Sequence, residues 1–341
     1  MQIQELIETA NERGASDLHL ASGQPPSLRV DGHLETIGEM SLDDHHMDAM
    51  LQTVMSDEQW SVYSERKELD FAVSFGDAGR FRANAFTRLN GRGLVLRAIP
   101  EVMPTLEDLG APSILSRIAG RSRGLVLVTG PTGSGKSTTL AAMVNQRNRN
   151  YPEHILTIED PIEFVHDSRH ALVTQREVGE HTHNVNNALR SALREDPDVI
   201  LIGELRDAET IRLALTAAET GHLVLGTLHT RTAASSVDRI INTFPGEEQP
   251  QVRAMLADSM VAVISQTLIR QQGGGRVAGY EIMVANPAIR NLIRESNLAQ
   301  IPNALQTGQA AGMQTMEQSV KRLQGMGLIA EADAKAALDA E

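Results

Sequence analysis

The segment GPTGSGKS, residues 130–137, has the residue types and spacing that hold the phosphates of a nucleoside triphosphate. It matches G-x-x-x-x-G-K-[ST] and directly follows the apolar run LVLVT. In such a loop backbone N–H groups surround the phosphates, the lysine reaches the β- and γ-phosphates, and the hydroxyl holds Mg²⁺. A helix is therefore expected to begin near Lys136. The predicted binding residues are Gly130, Pro131, Thr132, Gly133, Ser134, Gly135, Lys136, Ser137 and Thr138, with Ser137 on the metal.

Acidic residues and a histidine follow the other apolar runs in this part of the chain. The run ILTI is followed by Glu159, Asp160 and Glu163. Glu204 follows the run VILI, and His229 follows the run LVLGTL. Ligands of open α/β sheets bind at the carboxyl ends of the strands, so these side chains are expected to meet beside residues 130–137. Gly203 stands where many phosphate-loop proteins carry a Mg²⁺-holding aspartate, which leaves Glu204 to orient or deprotonate the attacking water. Glu159, Asp160 and Glu163 are candidates to assist Mg²⁺ through its waters, or else they are solvated loop acids.

Two histidines and a pair of arginines are weaker candidates. His229 is expected near the γ-phosphate and is a candidate to sense it. His222 enters the same strand at the far end, where it is either structural or directed to a neighbouring subunit. Arg190 and Arg194 stand four residues apart on one predicted helix face, and a solvated or subunit-facing stripe explains them as well as catalysis does.

Arginines also stand at positions 80, 82, 88, 92 and 97, within the segment GRFRANAFTRLNGRGLVLR. Arg80 and Arg82 share one strand face, and Phe81 on the opposite face is expected in the core. Phosphoryl transfer loads negative charge onto the γ oxygens, which an arginine from another domain or subunit can stabilise. Phosphate-directed arginines are therefore favoured over the two alternatives, a solvated strand face and a nucleic-acid ribbon.

The composition narrows the classes of protein that the chain can belong to. Its 44 acidic residues outnumber 31 lysines and arginines, whereas unspecific nucleic-acid binding needs a broad basic footprint. Cysteine is absent, so there is neither a disulfide framework nor a thiolate zinc site, and a reducing, cytoplasmic location is expected. The first residues show no signal-peptide pattern, and nowhere do 18 apolar residues run together. Membrane contact is thus expected only through partners.

The order of predicted elements indicates two domains. Residues 1–100 show short strands, a hairpin at Asp31-Gly32, a helix-like stretch over 42–66 and a strand meander, which predicts a small α+β domain. A proline-containing linker occupies 101–112. Strands then alternate with helices over 113–272, which predicts an α/β core with a mostly parallel sheet. The longest candidate helix covers 251–269, and residues 273–341 are expected to be mainly helical, apart from the strand-like run RVAGYEIMV.

The stretch AIRNLIRE, residues 288–295, predicts an amphipathic helix with Asn286 as N-cap and Pro287 at its first position. Ile289, Leu292 and Ile293 would form a buried side, and Arg290 and Arg294 another side. Nucleotide chemistry does not require such a helix. It is therefore a candidate for coupling to a partner, with a packed C-terminal helix as the alternative. The coupling residues would be Ala288, Ile289, Arg290, Asn291, Leu292, Ile293, Arg294 and Glu295.

Taken together, GPTGSGKSTTLAAM, ILTIEDPIEF, REDPDVILIGELRD, TGHLVLGTLHT and AIRNLIRE resemble the motifs of the secretion and pilus ATPases, and among them the retraction motors of type IV pili. The likeness covers essentially the whole chain. It implies a homohexamer in which a PAS-like N-terminal domain joins a RecA-like ATPase domain, with nucleotide bound between them. It also implies that Arg82 and Arg97 reach the phosphates, that Glu204 is the catalytic glutamate, that Glu163 assists at the metal and that His229 monitors the γ-phosphate. Extension motors of this superfamily usually carry a four-cysteine zinc module, which the present sequence lacks.

The resemblance implies a Mg²⁺- and ATP-dependent motor that drives pilus retraction at the cytoplasmic face of the inner membrane. Its expected partners are its own copies, a platform protein of the pilus machine and a second retraction ATPase. An accessory retraction ATPase is the nearest alternative. A nucleotide-gated binding module and a RecA-like nucleic-acid motor are alternatives from other classes.

Overall fold

A computed structural model describes residues 2–30, 32–99 and 103–339. The contacts divide the chain into two compact units. The first unit combines the described part of 1–102 with Pro161–Val165, and the second combines Met103–Asp160 with the described part of 166–341. The hairpin residue Asp31 and linker residues 101 and 102 lie outside the described residues, while Leu106 of the predicted linker is buried in a core of the second unit.

The strands of the first unit form one antiparallel sheet, and helices pack against it. The described elements are α1 (Ile3–Glu12), β1 (Asp17–Ala21), β2 (Ser27–Val30), β3 (His33–Thr36), α2 (Asp44–Val54), α3 (Asp57–Arg66), β4 (Glu68–Ser74), β5 (Arg80–Arg88) and β6 (Gly91–Ile99). The sheet order is β3-β2-β1-β6-β5-β4, and all its described pairings are antiparallel. Residues 42–66 form two helices rather than one stretch, because Ser56 caps the start of the second helix.

The arginine-bearing strand β5 alternates between core and surface. Phe81, Ala83 and Ala85 are buried, whereas Arg80 and Arg82 point to the other face and are partly exposed. This period of two is what an antiparallel sheet with one covered face produces. The prediction that Phe81 is a core residue is therefore confirmed.

The second unit is an α/β layer in which parallel strands alternate with helices. Its strands are β7 (Gly124–Thr129), β8 (His154–Glu159), β9 (Leu172–Glu177), β10 (Val199–Ile202), β11 (Leu223–Leu228), β12 (Met260–Arg270) and β13 (Arg276–Val284). Its helices are α4 (Ser113–Ala119), α5 (Lys136–Asn150), α6 (Val185–Ala192), α7 (Ala208–Glu219), α8 (Ala233–Asn242), α9 (Gln249–Ser259), α10 (Pro287–Arg294), α11 (Ile301–Thr307), α12 (Met316–Gly325) and α13 (Glu331–Asp339). The sheet order is β13-β12-β7-β11-β10-β8-β9, and β13 alone among these described strands is antiparallel to its neighbour. The predicted parallel α/β core is confirmed.

The helix predicted over 251–269 is wrong in its second half. Helix α9 ends at Ser259, and β12 begins at the next residue and pairs with β7 from Met260 to Ser265. Its run MVAVISQTLI is rich in β-branched residues, and its first half lies between β7 and β13 in the sheet, which favours a strand. Strand β13 returns beside β12 through the tight turn that contains Gly273–Gly275, so the sheet extends past residue 272, where the sequence placed the end of the core.

Candidate active site

The segment 130–137 connects the buried central strand β7 to helix α5, which begins at Lys136 as predicted. The Lys136 ammonium donates hydrogen bonds to the carbonyl oxygens of Gly130 (2.9 Å) and Pro131 (3.0 Å), and the side chain is almost fully buried along the loop. Ser137 and Thr138 lie in the first turn of α5, partly exposed. The unpaired N–H groups and positive end of this helix favour an anion at its start.

Glu204 follows β10 and is held between two neighbouring strands. The N–H of Gly203 donates to the Ile158 carbonyl (2.8 Å), and the N–H of Leu205 donates to the Thr227 carbonyl (3.1 Å). In the sheet β11 lies between β7 and β10, so the peptide that carries Glu204 ends at the same edge as the phosphate-binding segment. Ligands of open α/β sheets bind at this edge, where the parallel strands have their carboxyl ends.

The Glu204 carboxylate contacts two cationic or titratable side chains. Its Oε1 lies 3.2 Å from Nε2 of His229, and its Oε2 accepts a hydrogen bond of 2.7 Å from Nε of Arg206. The structure thus brings together Glu204 and His229, two of the predicted site residues. Arg206 was missed, although the signal was present in the sequence as a cation two residues after Glu204. The hydrogen bond to Glu204 raises the pKa of Arg206, so this guanidinium stays charged.

The acids after β8 are arranged less compactly than the prediction suggested. Glu159 Oε1 accepts hydrogen bonds from Thr157 (2.7 Å) and Gln175 (3.2 Å), so this carboxylate is tied to its own end of the sheet. Asp160 is exposed, with one oxygen 4.0 Å from Arg206. Among the described residues no group of three or more His, Asp or Glu side chains is arranged to hold a metal ion. This donor set fits Mg²⁺ carried by phosphates and waters, which takes only one or two protein ligands.

The two arginines expected at the phosphates, Arg82 and Arg97, are opposite each other on β5 and β6 of the first unit. Arg97 Nε donates to Oδ1 of Asp17 (2.8 Å), and Arg82 Nη1 lies 3.9 Å from Oε1 of Glu163, which belongs to the same unit. Burial works to raise the pKa of Asp17, but hydrogen bonds from Ser16 and Arg97 outweigh it and lower that pKa. Arg82 and Arg97 are like charges at opposite positions of neighbouring strands, and the anionic Asp17 offsets part of their positive charge.

A third arginine of the same segment supports the first unit. Arg92 forms an ion pair with Asp48 (2.5 Å), and its guanidinium carbon lies 5.0 Å from the centre of the Trp60 ring. Both partners lie in α2 and α3, so this arginine ties the helices to the sheet. The five arginines therefore do not share one role.

The weaker candidates have local partners. His222 Nδ1 lies 3.0 Å from the Ala217 carbonyl near the end of α7, which supports the structural alternative for this residue. Arg190 pairs with Glu209 of the adjacent helix, and Arg194 donates to the Arg190 carbonyl (3.0 Å). Both arginines serve the surface of the second unit.

Helix α10 has the capping and the buried side that the sequence predicts. Asn286 accepts a hydrogen bond from the N–H of Ile289 (2.9 Å), and Pro287 is the first helical residue. Ile289 and Ile293 are fully buried, and Leu292 is partly buried. The outward side consists of Ala288, Asn291, Arg294 and Glu295, all exposed.

Arg290 of α10 is directed at the end of α9. Its guanidinium donates to the carbonyl oxygens of Asp258 (2.7 Å) and Met260 (2.8 Å) and also to that of Ala257. Burial lowers the pKa of Arg290. Of the two helix arginines, only Arg294 remains largely on the surface, where it pairs with Asp258.

Residues 1–274 match the protein family described as Type II/IV secretion system protein. The chain belongs to this family. Within the Type II/IV secretion family it is 54% identical to the type IV pilus retraction ATPase PilT of Pseudomonas aeruginosa, over 98% of this chain and 97% of that protein. It is 40% identical to the type IV pilus ATPase PilU of the same organism, over 99% of this chain and 89% of that protein.

Solved structures of related ATPases agree with this membership. The crystal structure of the pilus retraction motor PilT with bound ADP covers 99% of this chain and 97% of its own, with 45% identity and a TM-score of 0.92. The Legionella pneumophila ATPase DotB gives 30% identity and a TM-score of 0.84 over 99% and 95%. The family and the fold class predicted from the motifs are confirmed. The described residues of this Type II/IV secretion family chain include no helix with the length and apolarity needed to cross a membrane.

Proposed function

We propose that this chain hydrolyses ATP and uses the energy to power retraction of type IV pili. The observation that carries the proposal is its 54% identity to a pilus retraction ATPase over 98% of the chain. The ADP in a solved relative of 45% identity supports a nucleotide as the ligand. The phosphate-binding segment, Glu204 and His229 at one edge of the sheet supply the residue types that ATP hydrolysis needs.

Nucleotide binding rests on residues 130–138. Backbone N–H groups of the loop and of the start of α5 donate hydrogen bonds to the phosphates, and Lys136, which already lies along the loop, neutralises the β- and γ-phosphates. Mg²⁺, when bound with the nucleotide, supplies positive charge to the phosphate oxygens. Ser137 would hold it directly, and Glu159, Asp160 and Glu163 would act through its waters.

Glu204 orients the attacking water and accepts its proton. His229 and Arg206 occupy one carboxylate oxygen each and thereby fix the direction of the side chain. His229 also follows β11, next to the strand that leads into the phosphate loop, which suits a residue that monitors the γ-phosphate. A carboxylate held in this way is preorganised for a water in line with the phosphorus atom.

Arg82 and Arg97 provide positive charge to the transferred phosphoryl group. They belong to the first unit, outside the strands that hold the loop, and their neighbouring positions on β5 and β6 let them act together. Arginines delivered from another domain or subunit stabilise the charge that gathers on the γ oxygens. We assign this role to the pair without assigning either residue to the same or a neighbouring subunit.

The motor works as a homohexamer at the cytoplasmic face of the inner membrane, where it acts on a platform protein of the pilus machine. The exposed face of α10 is the candidate surface for coupling. An accessory retraction ATPase that works beside a principal motor is the second candidate, because PilU is also related to this chain at 40% identity. The higher identity to PilT favours the principal motor.

The deciding experiment compares wild type with Glu204→Gln in ATP hydrolysis and in binding of a fluorescent ATP analogue. Loss of a positioned general base lowers turnover by about 10²- to 10⁴-fold, while binding is expected to stay within about twofold. Glu209→Gln, an exposed glutamate on α7, is the matched control and should retain full turnover. Unchanged hydrolysis by Glu204→Gln would exclude the catalytic role. Binding of nucleotide without measurable hydrolysis by wild type would favour a nucleotide-gated module.

A further inference from the structure

Gln266 lies directly behind the phosphate-binding segment, on the strand β12 that the sequence did not predict. Its side chain is buried, and both ends of its amide are used. Nε2 donates to the Ser134 carbonyl (2.7 Å), and Oε1 accepts from the hydroxyl of Thr139 (2.7 Å). Ser134 belongs to the loop and Thr139 to helix α5, so one side chain connects both halves of the nucleotide-binding element to the sheet.

The loop packs on Gln266 so closely that two of its glycines are required there. A Cβ at Gly130 would overlap the carbonyl oxygen of Gln266, and a Cβ at Gly135 would lie 2.8 Å from its Nε2. Both glycines also have positive φ angles, +145° and +86°. The glycines at these two positions therefore allow the loop to pack against Gln266 on one side, and they leave room for phosphate on the other side.

The hydrogen bond to Ser134 fixes the direction of one phosphate-binding donor. In a trans peptide the C=O of one residue and the N–H of the next point in opposite directions. Because the Ser134 carbonyl points at Gln266, the N–H of Gly135 points away from it, on the opposite side of the loop. A buried amide behind the loop thus determines where a donor in front of it is aimed.

Gln266 is held in this orientation by the chemistry of its two partners. The Ser134 carbonyl can only accept a hydrogen bond, and the Thr139 hydroxyl donates its single proton to Oε1 of Gln266. Reversal of the Gln266 amide would place its oxygen against the Ser134 carbonyl, where neither atom has a proton to donate, so the observed orientation is favoured.

We propose that Gln266 is a positioning residue for nucleotide binding, which holds the phosphate-binding loop in its binding conformation through the Ser134 carbonyl, with Thr139 fixing its amide. The proposal rests on nucleotide binding by this chain and deepens it. Gln266 acts through the loop and does not contact the phosphates.

The test measures affinity for a fluorescent ADP analogue together with thermal unfolding. Gln266→Met keeps the length of the side chain but leaves the Ser134 carbonyl unpaired, so affinity is expected to fall about tenfold. Gln272→Met, at an exposed position in the turn after the same strand, is the matched control and should bind as wild type does.

Gln266→Glu separates positioning from a merely structural role. A carboxyl group at this site donates to the Ser134 carbonyl only when it is protonated, and as a carboxylate it repels that oxygen. The affinity of Gln266→Glu relative to wild type should therefore recover as the pH falls, whereas that of Gln266→Met should stay low. The same titration decides the question if Gln266→Met does not fold.

The outcomes separate this inference from the proposed function. If wild type binds no nucleotide, the proposed function itself fails. If wild type binds and a folded Gln266→Met binds equally tightly, or if the affinity of Gln266→Glu relative to wild type is independent of pH, Gln266 has no positioning role.

Discussion

Asp17 is a buried carboxylate of the first unit whose charge state affects stability. It is nearly fully buried, accepts hydrogen bonds from Ser16 and Arg97, and has a lowered pKa. A carboxyl group with a lowered folded-state pKa adds stability above its ordinary pKa of about 3.9, and that contribution is lost as the pH falls through the folded value. We expect Asp17→Asn to lower the free energy of unfolding by about 1 kcal/mol at pH 7.

The measurement is urea unfolding followed by the fluorescence of Trp60, the one tryptophan of the sequence, which lies in the first unit. The difference between Asp17→Asn and wild type should be equal at pH 7 and pH 6 and shrink below about pH 4. Asp70→Asn is the matched control, since Asp70 is an exposed carboxylate on the same sheet and should change stability by less than about 0.5 kcal/mol. A deficit that persists unchanged at acidic pH would show that the charge of Asp17 is not the cause.

At the level of helices and strands, Arg290 decides how α9 ends beside α10. Its guanidinium satisfies carbonyl oxygens in the last turn of α9 and directly after it, whereas Arg294 forms an exposed ion pair. Arg290→Met should therefore lower the stability of the second unit by about 1–3 kcal/mol. Arg294→Met removes an equal charge from the same helix and should cost less than about 1 kcal/mol.

Circular dichroism during thermal unfolding tests this contrast, and ATP hydrolysis at a temperature where both variants are folded completes it. The pilus-coupling role proposed for α10 would then be examined with Arg294 and Asn291, whose side chains are exposed, rather than with Arg290. Equal destabilisation by the two substitutions would mean that the carbonyl contacts of Arg290 do not support the end of α9.

Elements that begin and end with a local signal could be predicted from the sequence, whereas elements without such a signal could not. The start of helix α10 was predicted to the residue, because Asn286 and Pro287 mark it chemically. Strand β12 was missed, because α9 passes into it between Ser259 and Met260 without glycine or proline. Gln266 was missed for the same reason, because its position behind the phosphate-binding loop follows only when β12 is known to be a strand. Arg206 was overlooked for another reason, since a cation two residues after Glu204 contacts it only if the two side chains point toward each other.

For the whole molecule, the proposed homohexamer predicts that hydrolysis depends on assembly. The phosphate loop and Glu204 belong to the second unit, whereas Arg82, Arg97 and Glu163, which we propose to act at the nucleotide, belong to the first. The net charge of −13 opposes self-association at low ionic strength, so association requires specific contacts and is expected to depend on protein concentration. ATP hydrolysis per subunit should accordingly rise with concentration in parallel with the mass measured by light scattering.

Arg82→Ala tests whether the cations of the first unit act in the assembled motor. The variant should assemble as wild type does but lose turnover by about 10³-fold or more, because the phosphoryl group loses a positive charge in the transition state. Arg88→Ala, at the far end of the same strand, is the matched control and should remain active. A monomer that hydrolyses ATP at a concentration-independent rate, unaffected by Arg82→Ala, would contradict the motor. Arg82 would then keep its exposed contact to Glu163, which contributes less than about 1 kcal/mol to stability.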